Sequence, residues 1–452
     1  MLTREENDLL TRTGPGTAMG ELFRHFWQPV MLSDELPGPD CTPVRLRIMS
    51  EDLIAFRDSD GLIGVVDAYC PHRNAPLYFG RNEERGLRCV YHGWKFDVHG
   101  NCVDLPNCWE GETFKQKVQI LAYPTVERAG IVWMYMGPKD RQPPLPGYPF
   151  MELPDENVYG NKFETACNYF QSLEGDLDPS HNAFLHSNLA TRKPGTIVPA
   201  MWNGDPPLFF DTDYGVQMVT VRPDEPGKVA VSAGHYTMTT AASVRGGTVV
   251  RQMNFRTPID DANSLFFRIR YNLTGALDER ELWEAKHGEY LYPPLIPGTF
   301  RSVADKSNDY LIDRVQQRFF NFSGIKSFII QDVAVTDDQR GPIADRTRER
   351  LVSVDEYIIR ARRRLMRAAR ELQEGRPPVA PFHPESLGLL PLRFTMDASG
   401  DIETALREQV EEQMEQARQR RPSSATDAAA PARPVGDRDR LAEAKLIGIA
   451  GA

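Results

Sequence analysis

The sequence lacks the features that direct a chain into or across a membrane. Its first residues, MLTREENDLL, have neither the basic region nor the apolar region of a signal peptide. No apolar run approaches the roughly 18 residues that a membrane span needs. Cysteine is scarce, with 6 residues in a chain of 452, which favours thiols or metal ligands over a disulfide framework. We therefore expect a cytoplasmic protein.

Two further absences narrow the functional classes. The chain has no basic surplus, and its net charge of -10 argues against a nucleic-acid partner and against binding to an anionic membrane surface. It also lacks a GxGxxG fingerprint for binding a dinucleotide. A hydrophobic content of 41% and a charged content of 26% suit a globular protein with a sizeable core.

The sequence pattern divides the chain into four segments. An N-terminal helical segment (1–25) precedes a segment (26–150) of alternating strands and turns, which ends in the proline-rich stretch PKDRQPPLPGYP. Residues 151–395 mix strands with helical patterning near 306–320, 332–350 and 354–374. Residues 396–452 contain a polar helix candidate, ETALREQVEEQMEQARQR, and a low-complexity tail that we expect to be disordered.

Two cysteines and two histidines form mirrored pairs, Cys70-x-His72 and Cys89-x-x-His92. A Cys2His2 zinc site is the plain alternative, because thiolate sulfur and imidazole nitrogen both suit zinc. Zinc fingers, however, pair Cys with Cys and His with His along the chain, whereas each short loop here supplies one of each. This arrangement favours a [2Fe–2S] cluster with both thiolates on one iron and both imidazoles on the other. Trp94 is expected to cover the cluster or to be an ordinary core aromatic.

A second metal-ligating pattern lies in the segment EGDLDPSHNAFLH. His181 and His186 with one carboxylate would form a facial triad, which suits non-haem Fe(II) because it leaves positions open for O2. On an ideal helix the two histidines would lie about 140° apart, so we expect the helix to be broken between them. Asp178 is expected to be either a ligand or a residue that orients His181.

The remaining carboxylate ligand is expected from the C-terminal half of the chain. Asp332 lies between the apolar runs FII and VAV, where a carboxylate is expected to be buried and therefore paired or metal-bound. Four other acidic residues lie in polar surroundings and are expected on solvated faces or as caps: Asp337, Asp338, Asp345 and Glu349.

With both patterns in one chain, the sequence resembles the oxygenase α subunit of Rieske non-haem iron ring-hydroxylating enzymes, and among these the phthalate 4,5-dioxygenase-like group. The resemblance runs from LTREENDLL and RHFWQPV to about residue 375 and includes CPHR, VYHGWKFDV, CNYFQSLEGDLDPSH and QDVAV. Respiratory Rieske proteins have an extra Cys in each loop, whereas this chain has Ala75 and no spare Cys beside His92. The resemblance implies an α+β fold, with a β-rich Rieske [2Fe–2S] domain (26–150) and a helix-grip catalytic domain (151–395).

The resemblance also implies roles for individual residues. The cluster ligands would be Cys70, His72, Cys89 and His92, and the Fe(II) ligands would be His181, His186 and Asp332. Asp178 would link the iron to the cluster of a neighbouring subunit, and Asn168 and Gln171 would place polar groups near the iron. The enzyme would form a homotrimer, or a hexamer of trimers, and would take electrons from an NAD(P)H-dependent flavin and iron–sulfur reductase.

The implied reaction is O2-dependent hydroxylation of an aromatic substrate. The first interpretation is cis-dihydroxylation of a phthalate- or benzoate-like acid, and the alternative is aromatic O-demethylation. Substrates of this group are often carboxylates, which arginine binds through a two-point fork. Arg251, Arg268 and Arg270 lie in strand-like segments. Arg251, in TVVRQMNF, is the first choice for the substrate carboxylate, and a surface-facing strand position is the alternative for each.

Overall fold

The computed structural model describes residues 1–109, 113–178, 180–188, 206–244, 250–288, 290–337 and 339–420. Its helices are α1 (Arg4–Thr11), α2 (Ala18–Arg24), α3 (Tyr169–Leu177), α4 (Glu279–His287), α5 (Arg314–Phe319), α6 (Phe328–Thr336), α7 (Glu356–Gln373), α8 (Pro384–Leu387) and α9 (Ile402–Arg420). None of these helices combines the length and the apolar character that a membrane span requires. The predicted disordered tail after residue 420 and Asp338 lie outside the described residues.

The first eleven strands are β1 (Gln28–Leu32), β2 (Val44–Ile48), β3 (Glu51–Arg57), β4 (Ile63–Asp67), β5 (Arg81–Glu83), β6 (Gly86–Arg88), β7 (Lys95–Phe96), β8 (Cys102–Asp104), β9 (Ala122–Tyr123), β10 (Thr125–Arg128) and β11 (Ile131–Met134). The remaining strands are β12 (Val158–Thr165), β13 (Leu208–Asp211), β14 (Gly215–Pro223), β15 (Lys228–Thr237), β16 (Ala241–Val244), β17 (Val250–Pro258), β18 (Ser264–Asn272) and β19 (Leu392–Asp397). The predicted α+β class is confirmed.

Contacts group the chain into two compact units. The larger comprises Met1–Leu32, Arg47–Asp52 and Arg128–Pro422, and the described part of the smaller comprises Ser33–Leu46 and Leu53–Glu127. This grouping puts the two N-terminal helices with the larger unit. The four-segment division given by the sequence pattern stays a prediction.

The smaller unit is built from two four-stranded sheets, in the orders β2-β3-β4-β9 and β5-β6-β7-β8. Its core contains the buried side chains of Phe56, Leu87 and Phe96, and both cysteines of the mirrored pairs adjoin it. A hairpin turns at His99-Gly100-Asn101, between the paired strands β7 and β8. Gly100 has a φ of 81°, which favours glycine, and the Asp97 carboxylate accepts from the backbone N–H groups of His99 and Asn101.

The larger unit is organised around an eight-stranded antiparallel sheet. Strands β12-β18-β17-β16-β15-β14-β13 are neighbours in that order, and β19 pairs with β15. Successive side chains of a strand point to opposite faces. On one face, Asn254 and Arg256 of β17 contact Asp176 of α3. On the other, the ring of Phe255 packs against Trp133 with 5.5 Å between centroids. We call the face that carries Asn254 and Arg256 the helix face.

One helical prediction extends too far along the chain. The pattern near 332–350 predicts a helix, but α6 begins earlier, at Phe328, and ends at Thr336. Residues 339–350 form turns and irregular backbone. Gly341, at a φ of 126°, and Pro342, which lacks an N–H, both disfavour a continued helix. Asp332 is therefore in the second turn of a short helix.

Helix α3 is fixed by a nearly buried ion pair between one carboxylate and two guanidinium groups. Arg346 donates to both oxygens of Glu174, at 3.3 and 3.0 Å, and Arg362 of α7 donates from Nε at 2.8 Å. Burial alone would raise the pKa of Glu174, but the two arginines outweigh it and hold that pKa below the usual range. Glu349, expected on a solvated face, instead pairs with Arg362, at 2.6 and 3.0 Å.

We expect the substitution Glu174→Gln to lower the midpoint of thermal unfolding by about 5–10 °C, because it leaves two buried guanidinium groups without their carboxylate. A carboxylate whose pKa is lowered by folding contributes stability above its unfolded pKa of 4.5 and loses it as the pH falls through the lower folded value. The difference in midpoint should therefore stay constant from about pH 5 to about pH 8.

The matched control for this substitution is Glu403→Gln. Glu403 pairs with Arg407 at 3.2 Å on the exposed side of α9, so its loss should change the midpoint by no more than about 1 °C. Circular dichroism measures both variants. Equal midpoints for the two variants would contradict a stabilising role for the Glu174 ion pair.

Candidate metal centres

Two loops of the smaller unit present the mirrored Cys and His pairs through the same backbone pattern. In the first loop Cys70 N–H donates to Ala75 at 2.9 Å, and Asn74 N–H donates back to Cys70 at 2.8 Å. In the second, Cys89 and Trp94 are joined at 2.8 Å, and Gly93 N–H donates to Cys89 at 2.9 Å. The fourth residue after each cysteine has a positive φ, 55° at Asn74 and 78° at Gly93. Each loop is thus a closed turn.

The four side chains of these loops converge. The thiols of Cys70 and Cys89 are buried, and the rings of His72 and His92 lie 4.4 Å apart between centroids. Burial raises the pKa of Cys70 to about 11, and the neighbouring Cys89 adds to the effect. Without a metal the Cys70 thiol is therefore protonated at neutral pH. A metal ligand must be a thiolate, so a bound cation would displace its proton.

Trp94 covers one side of this group. Its indole stacks on the ring of His72 at 4.6 Å, with 8° between the planes, and its Nε1–H donates to Asn107 at 2.7 Å. The indole is 7% exposed and also belongs to the core of the smaller unit. Trp94 is therefore both a core aromatic and a cover for this group, because the same side chain fills the core and stacks on the His72 ring.

The second histidine pair lies where α3 ends. Asp178 caps the helix with extended backbone, at a φ of -103° and a ψ of 101°, and His181–Ala183 then form a single 3-10 turn. The predicted break before the second histidine is confirmed. The break lets both imidazoles approach the same point, with 5.1 Å between ring centroids.

Asp332 of α6 completes a group of three side chains. Its Oδ1 lies 3.0 Å from His186 Nε2 and 3.6 Å from His181 Nε2. One ligand atom from each of the three residues lies within 4.8 Å of the others. The side chain of His186 is 5% exposed, whereas that of Asp332 is 33% exposed. Asp332 was expected to be buried, but it is partly exposed. Two imidazoles and one carboxylate that converge in this way suit non-haem Fe(II).

Comparison with known proteins gives the family. Residues 26–119 match the family model described as the Rieske [2Fe-2S] domain, and residues 134–387 match that described as LigXa C-terminal domain like. Over 391 residues the chain is 36% identical to the phthalate 4,5-dioxygenase oxygenase subunit of Pseudomonas putida, with 83% of this chain and 88% of that protein covered. The chain belongs to the Rieske aromatic ring-hydroxylating oxygenases.

A second relative agrees with this family, and a solved structure shares the fold. The oxygenase is 31% identical to the 5,5'-dehydrodivanillate O-demethylase oxygenase subunit of Sphingobium sp., over 84% of this chain and 83% of that protein. Its fold is similar to that of dicamba monooxygenase bound to 3,6-dichlorosalicylic acid, with a TM-score of 0.54 at 19% identity, over 78% of this chain and 99% of that one.

As a Rieske oxygenase, the protein contains a [2Fe–2S] cluster and a mononuclear iron, and it acts on an aromatic compound. The Rieske match removes the zinc alternative for the mirrored Cys and His pairs. The side chains at the two sites are suitable ligands for the [2Fe–2S] cluster and for the mononuclear iron. The buried thiols face two imidazoles, and His186 Nε2 is buried without a hydrogen-bond partner among the described residues.

Gln331 contacts His186, and the sequence pattern did not identify it. Its Nε2 donates to the carbonyl of Ile325 at 2.7 Å, so its Oε1 faces His186 Nδ1, also at 2.7 Å. Nδ1–H of His186 therefore donates to Gln331, and Nε2 is directed at Asp332. A buried amide inside the run IIQDV is expected to have a hydrogen-bond partner, but the sequence does not identify that partner.

Asp178 lies beside His181, the other histidine of this group, without a hydrogen bond between them. Asp178 Oδ2 lies 3.6 Å from His181 Nδ1, and its Oδ1 accepts from the backbone N–H of Ser180 at 2.7 Å and the hydroxyl of Ser180 at 2.5 Å. Burial would raise the pKa of Asp178, but His181 and Ser180 hold it below the usual range. Asp178 is thus an anion beside a histidine of the iron group.

Asn168 and Gln171 occupy positions different from those expected. Asn168 is buried at the start of α3, where its amide donates to the carbonyls of Thr11 and Asp261 at 2.9 and 2.8 Å. Gln171 donates to the carbonyl of Thr336, at the end of α6, and accepts from Ala344 N–H at 2.7 Å. Backbone groups therefore engage both amides, and Gln171 joins α3 to the end of α6. The expected role of the two residues near the iron stays a prediction.

Asp337 and Arg251 lie in surroundings that the sequence pattern did not predict in full. Asp337 was expected on a solvated face or as a cap, and it is the C-terminal cap of α6. Its half-buried side chain lies next to Cys167, and desolvation raises its pKa to about 6. Arg251 pairs in register with Tyr271, whose ring contacts Phe150 on the face opposite the helix face. Strand alternation therefore directs Arg251 away from α3. By contrast, Asp345 is exposed, as expected.

We expect Gln331→Ala to weaken Fe(II) binding by about 10- to 100-fold, because it frees the His186 ring to rotate and removes the acceptor for Nδ1–H. Gln331→Glu keeps an acceptor and should retain most of the affinity. Competition with a colorimetric Fe(II) chelator measures the dissociation constant. Gln316→Ala, on the exposed side of α5, is the control, and an unchanged affinity in Gln331→Ala would contradict the positioning role.

Proposed function

We propose that this oxygenase binds its cluster through Cys70, His72, Cys89 and His92 and its mononuclear iron through His181, His186 and Asp332. The observation that carries the proposal is the convergence of two imidazoles and one carboxylate within 4.8 Å in a chain with a Rieske domain. When bound, the cluster supplies single electrons, and the iron supplies the site at which O2 is activated beside the substrate.

The chain's own residues shape that chemistry. Gln331 fixes the His186 ring so that Nε2 is directed into the site, and Phe328 stacks on the same ring at 3.8 Å. Asp178 and Ser180 hold the loop that carries His181. These contacts position the two histidines that, with Asp332, would hold the iron.

We also propose that Asp178 connects the iron of one subunit to a cluster histidine, the counterpart of His92, on a neighbouring subunit of a homotrimer. Asp178 supports this role because it is an anion in contact with His181 and its side chain is 24% exposed, so a neighbouring subunit can reach it. Electrons would come from a separate NAD(P)H-dependent reductase. The free state of all six cysteines suits a cytoplasmic location.

The proposed reaction is cis-dihydroxylation of an aromatic carboxylate. The similar protein from Pseudomonas putida, whose name gives phthalate as substrate, supports this choice at 36% identity. Aromatic O-demethylation is the alternative, supported by the similarity to the dehydrodivanillate O-demethylase subunit. The iron ligands are the same for both, so the orientation of the bound ring decides between them.

Turnover over a substrate panel tests the reaction. The holoenzyme, NADH and a compatible reductase are incubated with phthalates, benzoates and methoxybenzoates under air. We expect cis-dihydrodiols with both oxygen atoms derived from O2. Formaldehyde and a phenol would instead establish the demethylase alternative. A colourless purified protein without a Rieske electron paramagnetic resonance signal after reduction would refute the ligand assignment.

We expect Asp178→Asn to retain both metal centres but to slow electron transfer between them by roughly tenfold or more, because a neutral amide no longer bridges two imidazoles through its charge. Stopped-flow oxidation of the reduced cluster in a single turnover measures the rate, and iron analysis measures metal content. Asp345→Asn is the control, since Asp345 is exposed and bonds to Thr347. An unchanged single-turnover rate in Asp178→Asn would remove the proposed link.

A further inference from the structure

Three strand arginines are candidates for binding the substrate carboxylate: Arg251, Arg268 and Arg270. They do not all lie on the same face of the eight-stranded sheet. Arg268 of β18 pairs in register with Asn254 of β17, so its side chain lies on the helix face. On that face Asn254 donates to Asp176 at 2.8 Å, and Asp176 is two residues before Asp178 on the chain. Arg268 therefore points to the side of the sheet that carries the iron group.

The other buried arginine of the helix face already has its partners. Arg256 contacts Asp176 at 2.6 Å, donates to the hydroxyl of Ser172 at 2.9 Å and lies 3.4 Å from the centroid of the Phe266 ring. Its charge is thus neutralised by a carboxylate of α3. Arg256 therefore holds α3 against the sheet.

Arg268 differs from Arg256 in having no anionic partner among the described residues. It is 7% exposed, and its Nε is buried without a hydrogen-bond acceptor. Its nearest aromatic contact is the Tyr292 ring, 5.3 Å from its Cζ. Burial of a guanidinium without a counter-ion is unfavourable. An anion that reaches Arg268 would remove that cost.

The surroundings of Arg268 suit an aromatic anion. Tyr292 belongs to an apolar cluster with Phe266 and with Ile329 and Ile330 of α6, the helix that carries Asp332. Burial lowers the pKa of Arg268, while the carboxylates of Asp176 and Asp332 are near enough to favour its charged form. Arg270 lies two residues further along the same face and adds a second positive charge.

We propose that Arg268 recognises the substrate carboxylate, and that this oxygenase consequently prefers aromatic acids over neutral aromatic compounds of the same shape. The guanidinium fork matches the two oxygens of a carboxylate. With the acid group held at Arg268, the ring extends along the apolar cluster towards α6. This proposal rests on the proposed function, because it assumes that the substrate is oxidised at His181, His186 and Asp332.

Binding is measured without turnover, so that the two proposals can fail separately. Benzoate, phthalate and benzamide are titrated into the anaerobic holoenzyme, without reductase, by isothermal titration calorimetry. We expect Arg268→Gln to raise the dissociation constants of the two acids by about 100-fold and to leave that of benzamide unchanged within about twofold. Steady-state assays of the same variant should show a raised KM for acids with little change in kcat.

The matched control is Arg251→Gln. Arg251 is the same residue type on the adjacent strand, its Nε is also buried without a partner among the described residues, and it lies on the opposite face. It should leave the preference for acids over benzamide intact. Loss of that preference in Arg251→Gln, or its retention in Arg268→Gln, overturns the assignment.

A conservative variant decides the matter if Arg268→Gln does not retain its iron–sulfur absorption. Arg268→Lys keeps the charge and removes the planar fork, so acid binding should weaken about tenfold while benzamide binding stays the same. Acid binding equal to that of the wild type would overturn the proposal. If acids bind through Arg268 but no aromatic compound is converted, the anion site stands and the proposed function fails.

Discussion

The ion pair between Glu174 and two arginines is the constraint on which the iron group depends. Helix α3 ends at Leu177, four residues before His181 and nine residues before His186, so a movement of α3 would move both imidazoles. Arg346 and Arg362 hold the middle of that helix, and Arg256 holds its last turn against the sheet through Asp176. Gln171 of α3 donates to the end of α6, the helix that carries Asp332, and so joins the two helices. Buried ion pairs thus fix the position of α3 more specifically than apolar contacts, which are not directional, would do alone.

The sequence predicted the groups whose evidence is local spacing. The mirrored Cys and His pairs and the break between the two histidines both follow from residue types at short range. The faces of the strands were not predictable in this way. Arg251 and Arg268 are both strand arginines, and only the register of β17 against β18 shows that they point in opposite directions. Gln331, Asn168 and Gln171 have partners more than a hundred residues away, which no local pattern can name.

The two histidines of the iron group have unequal partners. His181 lies beside a carboxylate, whereas His186 donates to a neutral amide. Asp178 brings a negative charge close to the His181 ring, whereas the amide of Gln331 fixes the orientation of the His186 ring without adding charge. The same division appears in their exposure, since the side chain of His181 is 20% exposed and that of His186 is 5% exposed. The His186 ring is therefore the more buried and more firmly oriented of the two, and the His181 ring is the more exposed.

The two closed loops of the smaller unit have the same backbone conformation although their sequences differ in spacing. One residue separates Cys70 from His72, whereas two residues separate Cys89 from His92. In each loop the fourth residue after the cysteine is left-handed, Asn74 or Gly93, and donates its backbone N–H to the carbonyl of that cysteine. The loops are therefore repeats in backbone conformation and not in sequence, and the shared turn determines where each cysteine and histidine lies.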